Sequence, residues 1–260
     1  MAKTKTAHTE DAVSVLEISK GAVTFCVLGT SPLVFNRMSE KAKRELLMPR
    51  GRKNAAERAT TLKHDPVQEF RDSVYRDAAD NAPARLVMPA TAFKGAMAAA
   101  ALDLPGVARS QIGRLTYVQG YNVHVFGVPR LFMSVVRSAD INKTPDIRTR
   151  AILPEWAAMV TISFVKPLIR DQMVANLLAA AGVTIGIGDF RQEKGKGNFG
   201  QFDLVSADSV PFQALVRKAG RDVQDKALTD ATPYDAESAE LLDWYSAERK
   251  KRGFDVKEAA

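Results

Sequence analysis

Apolar and polar positions along the chain switch repeatedly between a period of two and a period near 3.6 residues, the marks of strands and amphipathic helices. Val13–Ser19 alternates, and Ala22–Gly29 is nearly all apolar, so a strand is expected there; Thr30, Ser31 and Pro32 end it. Ser39 is placed to cap a helix from about Glu40 to Met48, with Ala42, Leu46 and Leu47 inward. Asp65 and Pro66 form an N-cap and first-turn pair for a helix to about Ala79, with Val67, Phe70, Val74 and Tyr75 on one face. Leu86–Met88 reads as a short strand, and Pro89 and Thr91 introduce a helix of small residues, Ala92–Leu102.

Leu115–Val118 and Asn122–Val128 read as paired strands around Gly120, followed by strands at Leu131–Val136 and Met159–Val165. Between the last two, Ser138–Pro154 is polar. Asp171–Ala181 is a helix with Met173, Leu177, Leu178 and Ala181 inward and Gly182 as its stop. Val183–Ile187 and Gln201–Val205 read as strand-like runs around a glycine-rich loop. Periodicity is weak over 206–234, apart from a short helix at Pro211–Lys218; Asp235 then starts an amphipathic helix to about Lys251, with Leu241, Leu242 and Tyr245 on its apolar side. The order strand–helix–strand, then strand–helix–loop–strand, predicts an α+β fold whose simplest form is a ferredoxin-like (RRM-like) core with an antiparallel sheet.

Composition narrows the setting. The 260 residues suffice for one large domain or two small ones. No apolar run approaches a membrane span, and the polar Met1–Asp11 carries no signal segment, so a cytoplasmic protein is expected. A single cysteine, Cys26, excludes an internal disulfide and a multi-cysteine zinc site; in its apolar strand it reads as an inert thiol. The 37 Lys+Arg against 30 Asp+Glu give a net charge of +7, which favours an anionic partner without naming it.

The charge is concentrated. Between Lys41 and Lys53 lie six cations (Lys41, Lys43, Arg44, Arg50, Arg52, Lys53) and one carboxylate, Glu45. The stretch 182–205 holds six of the 16 glycines, the cations Arg191, Lys194 and Lys196, and the aromatics Phe190, Phe199 and Phe202. A loop of this kind can turn tightly, and its amides and cations can hold phosphates. Gly195-Lys196-Gly197 lacks the Gly-Lys-Ser/Thr ending of a nucleotide-binding loop.

Three segments together resemble the RAMP superfamily, the repeat-associated proteins of CRISPR effector complexes. They are Val27–Phe35 at the end of the first strand, Met88–Met97 (Met-Pro-Ala-Thr-Ala-Phe-Lys-Gly-Ala-Met), and the glycines between 186 and 200. The second is similar to the proline, small-residue, hydrophobic-Lys-Gly motif of the subunits that line a guide RNA. Arg148–Pro154 resembles an arginine-containing approach to a strand in the same superfamily. Residues 1–12 read as a flexible arm; the resemblance implies a RAMP-like core at 13–206 with finger- and thumb-like insertions at about 37–64 and 137–157, which leaves 207–260 as a C-terminal extension bearing the amphipathic helix 235–251. It implies a non-catalytic subunit that binds single-stranded nucleic acid, with guide RNA the expected guest. Copies would associate head to tail into a helical filament beside other effector subunits.

Lys94 and Gly95 carry over as a backbone-contact site, and 182–200 as a phosphate- or subunit-contact loop. Arg37, Arg50, Arg52, Lys53, Arg148, Arg150, Arg191, Lys194 and Lys196 complete the expected nucleic-acid-binding set, the inserts matching by position and charge. Target-cleaving relatives carry an aspartate in the loop after the first strand; Thr30–Met38 has no carboxylate, so no target cleavage by that route is expected.

Of the three histidines, His8 and His64 read as solvated. His124 alternates with Val123 and Val125, and with Tyr117 or Tyr121 it could imitate a metal-independent endoribonuclease, which stands as one alternative. A structural or interaction protein mimicking such a subunit is the other. Asp146 and Asp189 read as turn or cap residues, Phe190 and Phe199 as loop anchors, and Trp156 and Trp244 as packing residues. No cofactor and no metal site are expected.

Overall fold

The computed structural model describes residues 16–48, 62–106, 108–137, 145–194 and 197–254. The arm at 1–12, the start of the alternating run at Val13, and Arg50, Arg52, Lys53 and Lys196 lie outside the described residues, as does the side chain of Lys194.

The longest pairing in the chain sets the architecture. β1 (Ser19–Gly29) runs antiparallel to β9 (Ala157–Lys166) from Ser19↔Lys166 to Leu28↔Ala157. On its other side β1 pairs with β10 (Phe202–Val205), and β9 pairs beyond β1 with both β5 (Thr116–Val118) and β6 (Asn122–Phe126). Strands from the end, start, middle-late and middle-early parts of the chain thus lie side by side, all antiparallel, in ferredoxin-like order. β4 (Leu86–Pro89) and β3 (Tyr75–Arg76) extend the sheet past β6. The α+β class holds.

Two helices cover one face. α3 (Ala90–Ala100) and α5 (Asp171–Thr184) pack on each other and on the sheet. Under them, Val23, Phe25 and Val27 of β1 lie beside Ile162, Val160 and Ala158 of β9. Phe93 of α3 meets Phe202 with ring centroids 6.0 Å apart, and Phe202 meets Trp156 edge-on, also at 6.0 Å. All three rings are fully buried, and burying each contributes about 1.5–3 kcal/mol. Alanines 96, 99 and 100 of α3 are buried, which lets the helices approach closely.

A smaller sheet stands beside the core. β7 (Arg130–Arg137) and β8 (Pro145–Leu153) form a hairpin, and β2 (Leu33–Val34) adds to the far side of β8. α2 (Pro66–Asp72) packs on β8, and α8 (Ala236–Lys251) on β7. Two buried hydroxyls bond these helices to the strands. Ser73 Oγ accepts from the Ala151 amide at 2.8 Å, and Ser238 Oγ accepts from the Met133 amide at 3.0 Å. The edge of β7 is taken by the chain before α8: Leu131 N donates to Thr232 O, and Tyr234 N to Leu131 O, both at 2.8 Å.

Helix starts follow their caps. Ser39 accepts from Ala42 N to open α1 (Glu40–Leu47), Asp65 from Gln68 N to open α2, and Asp235 from Ser238 N to open α8. Other expectations change. α1 has no buried residue, and Leu46 and Leu47 face outward. α2 stops at Asp72 rather than Ala79, because Ser73 turns back to cap Phe70 O and Tyr75–Arg76 join the sheet. The strands around Gly120 do not pair with each other. Both pair with β9, as one strand interrupted by a bulge in which Gly120 takes φ +80°. The polar stretch 138–154 is mostly β8, polar because one face of the hairpin is solvated. Gly182 is not a helix stop. It lies within α5, where a Cβ would come within 2.0 Å of Phe202 O. Consequently Val183–Ile187 is helix end and turn rather than strand. Trp244 is 63% exposed. α4 (Arg109–Leu115) and α7 (Arg221–Asp230) had no counterpart in the pattern.

α6 (Val210–Lys218) packs against β1 and β9, with Phe212 buried, and α7 follows it at the ends of β4 and β6. Their docking centres on Gln224, whose side chain is fully buried. Its Nε2 donates to the carbonyls of Val125, Gly127 and Ala219, and its Oε1 accepts from the amides of Arg85 and Leu86. Replacing it strands buried amides and carbonyls at two strand ends. Gln224→Leu should therefore lower unfolding free energy by about 3 kcal/mol in urea titration; a loss below about 1 kcal/mol would show that water or a neighbour replaces those bonds.

Candidate nucleic-acid interface

The glycine-rich loop is built against itself and β2, not opened as a cradle. Ile187 N donates to Gly200 O, Asp189 N to Val34 O, Phe199 N to Phe190 O and Gly200 N to Pro32 O, at 2.8–3.2 Å. Gln201 N donates to Ser31 Oγ. Gly200 has φ +77°, and a Cβ there would sit 1.8 Å from Ile187 O. At Gly188, φ is +83° and Val34 O would lie 2.5 Å from a Cβ. The glycines allow close approach within this chain, and several of the amides expected to face phosphate already have partners. Phe190 holds φ 51°, which orients its ring edge-on to Phe199 at 6.4 Å. Phe199 in turn meets Phe132 of β7 at 6.2 Å, and Phe132 meets Tyr234 at 5.8 Å. Phe190 and Phe199 thus anchor the loop to the hairpin.

Arg191 is stapled to this loop. Its Nε lies 2.7 Å from Glu193 Oε2, and its Nη1 donates to Gly188 O. Asp189 meets the Arg150 guanidinium of β8, so the loop and the hairpin are joined by charge as well as by aromatic contact.

Arg150 belongs to a group of cations that the fold gathers. Arg148 and Arg150 project from the same face of β8, opposite Ser134 and Phe132 of β7. Burial and the neighbouring Arg148 push the Arg150 pKa down to about 10, so it stays protonated at neutral pH. Tyr75, from β3, lies within the field of both Arg37 and Arg150; burial nevertheless raises its pKa, and its hydroxyl donates to Asn36 Oδ1 at 3.3 Å. Arg76 follows it. Burial lowers its pKa, with Arg37 and Arg85 adding repulsion against the attraction of Asp72 and Asp225. Arg37 is held by Glu40 and by the Asp72 carbonyl. Among the described residues, Arg76 and Arg148 form no ion pair; Arg148 is exposed, and Arg76 donates only to the Arg71 carbonyl.

Arg148 and Arg150 are thus neighbours and Arg37 is linked to Arg150 through Tyr75, while Asn36, Tyr75 and Arg76 join the group unannounced by the sequence. The signal available for Arg76 was its position beside Tyr75, hidden because the helix pattern ran through both. Lys94 and Gly95 stand apart on the outer side of α3, and no described contact joins them to the arginines. Gly95 is exposed, with nothing within 4 Å of where a Cβ would be. Phe93, next in sequence, faces the core.

His64 is not simply solvated: its ring nitrogens bond Glu69 at 2.9 Å and Asp146 at 3.1 Å. Although burial raises it, the Asp146 pKa is held below the usual carboxylate value by Lys63 and His64. His124 Nε2 bonds Asp77 Oδ2 at 2.8 Å, and Tyr117 and Tyr121 are exposed without a hydrogen bond to it. The Ala79 amide and then His124 hold the Asp77 carboxyl low. Cys26 is half-buried, and burial raises its pKa. Among the described residues, no helix is long and apolar enough to cross a membrane.

No protein family and no curated protein matches the chain. Among solved structures, it is similar to the crystal structure of Cmr6 from Pyrococcus furiosus, with a TM-score of 0.37 and 9% sequence identity over 72% of this chain and 98% of that one.

Proposed function

We propose that the chain is a non-catalytic, single-strand nucleic-acid-binding subunit of RAMP type, with RNA as the expected guest. The observation that carries this reading is the arginine group on the hairpin face. Arg37 and Arg150 both act on Tyr75, Arg148 stands beside Arg150, and Arg76 lies near Arg37; Arg76 and Arg148 form no ion pair among the described residues. Burial and the like charge of Arg148 lower the Arg150 pKa, so an incoming phosphate relieves a repulsion already present there. Arginine suits the task because its planar fork binds phosphate bidentately.

The Met88–Met97 resemblance adds a second contact on α3. Gly95 costs its helix about 1 kcal/mol relative to alanine, and nothing in the described fold requires a glycine there. Close approach of a strand or a neighbouring copy supplies the reason. Association of copies has a surface to use: Met38, Leu46, Leu47 and Met48 on and beside α1 are each at least half exposed. In this reading copies line up head to tail along the strand, and the inserts contact its backbone without reading much sequence.

Two measurements test it. Arg148→Ala should weaken binding of single-stranded RNA several-fold and reduce the slope of log K against log salt by about 0.7, the share of one phosphate contact; unchanged affinity and slope would exclude Arg148 from the interface. Gly95→Ala should raise thermal stability by about 0.5–1 kcal/mol while weakening binding or assembly; a variant that is both more stable and fully active would remove α3 from the contact surface.

A further inference from the structure

On the side of the main sheet away from α3 and α5 lies a hollow of about 130 Å3. Phe126, Met159, Val123 and Pro83 supply its apolar surface, and Gln119, Asn122, His124 and Thr161 its polar groups. The register explains why they meet. Thr161 and Met159 alternate with the buried Ile162 and Val160, so they face away from the helices. Phe126 pairs with Ala157 on that same face, and His124 and Asn122 lie two and four residues before it. The bulge at Gly120 then lets Gln119 rejoin the face beside Ser163.

We propose that this hollow is a nucleobase pocket, receiving one base of the single strand that the chain binds. The inference rests on the single-strand reading and adds a site that the arginine group does not provide. Its first support is charge. No Lys or Arg lines the hollow, and its one ionisable side chain, His124, is matched by Asp77 at 2.8 Å. Phosphate and carboxylate ligands gain nothing there, whereas a neutral heterocycle does.

The second support is the polar inventory. Gln119 donates its amide to Ser163 Oγ at 2.8 Å, which leaves its carbonyl oxygen to accept. Asn122 has no side-chain partner among the described residues, so it offers a donor and an acceptor together. With Nε2 fixed by Asp77, His124 presents Nδ1. Donors and acceptors beside an aromatic ring and a thioether suit the edge and faces of a planar base. The third support is the rim. Tyr117, opposite Ser163 on this face, is 56% exposed, and Tyr121 on the bulge is 95% exposed. These rings are available for stacking adjacent bases.

The test uses the full chain and the four uncharged ribonucleosides, each added alone, with ribose and inorganic phosphate as controls, read by saturation-transfer NMR. At least one nucleoside should bind in the millimolar range, and ribose and phosphate should not compete with it. Asn122→Leu combined with His124→Leu should weaken that binding by about tenfold. Because that variant removes the bond to Asp77 and could misfold, Met159→Trp provides a second arm: it fills the hollow, keeps every polar group and should abolish nucleoside binding. Arg148→Ala should leave nucleoside binding unchanged while weakening the oligonucleotide. Absence of saturation transfer for all four nucleosides, or its persistence in Met159→Trp, would overturn the pocket. If the oligonucleotide still responds to Arg148→Ala in that case, the single-strand reading survives; if neither nucleosides nor oligonucleotide bind, both fall.

Discussion

The clasp between the glycine-rich loop and β2 is the contact on which the rest of the molecule depends. Asp189 N bonds Val34 O, and Gly200 N bonds Pro32 O, so a loop from the end of the core closes over the short strand that begins the second sheet. Both sheets are fixed relative to each other through those few backbone groups. The tolerance is small, because Val34 O would lie 2.5 Å from a Cβ at Gly188 and Ile187 O 1.8 Å from one at Gly200. The contact of Arg150 with Asp189 exists only because this closure delivers the carboxylate to the hairpin. The same closure places Phe190 and Phe199 against Phe132. A segment that reads as a flexible ligand cradle is therefore a rigid joint, and its cation Arg191 is bonded within it.

That joint gives the arginine group its electrostatic character. Arg150 is half-buried beside Arg148, with one carboxylate for the pair, and Arg76 is crowded by Arg37 and Arg85. Arg150 is half-buried, so water screens it less fully than it screens a surface lysine. Arg150 keeps its charge at neutral pH. The hollow on the main sheet is its electrostatic contrast, with no Lys or Arg in its lining and exposed tyrosine at its border.

Much of this was legible in local signals and little of it in long-range ones. Ser39, Asp65 and Asp235 announce their helices because a cap is a contact within four residues. The β1, β9 and β10 patterns announce themselves because one face is buried. Gly182 misleads, since a glycine that ends a helix and one that admits Phe202 against it look the same in one dimension. α7 escaped notice because its principal buried group is polar: Gln224 satisfies strand ends instead of filling an apolar stripe. Of the expected site residues, those on β8 meet Arg37, but Tyr75 and Arg76 enter only through a helix that stops seven residues early. Ser73 makes that stop by bonding back to Phe70 O, and it is held there by the Ala151 amide, a partner no local pattern encodes.

The pairing of Ser19 with Lys166 has a consequence in time as well as in space. The two central strands of the core stand at opposite ends of most of the chain, and β10 completes the sheet only at Val205. During synthesis β1 leaves the ribosome with neither of its neighbours in existence. The β7–β8 hairpin and the α2 turn can form early, from nearby residues, whereas the core must wait for a large loop to close. Until then the apolar face of β1 is open to any other strand edge. The hairpin that bears Arg148 and Arg150 can thus take shape before the core that positions it.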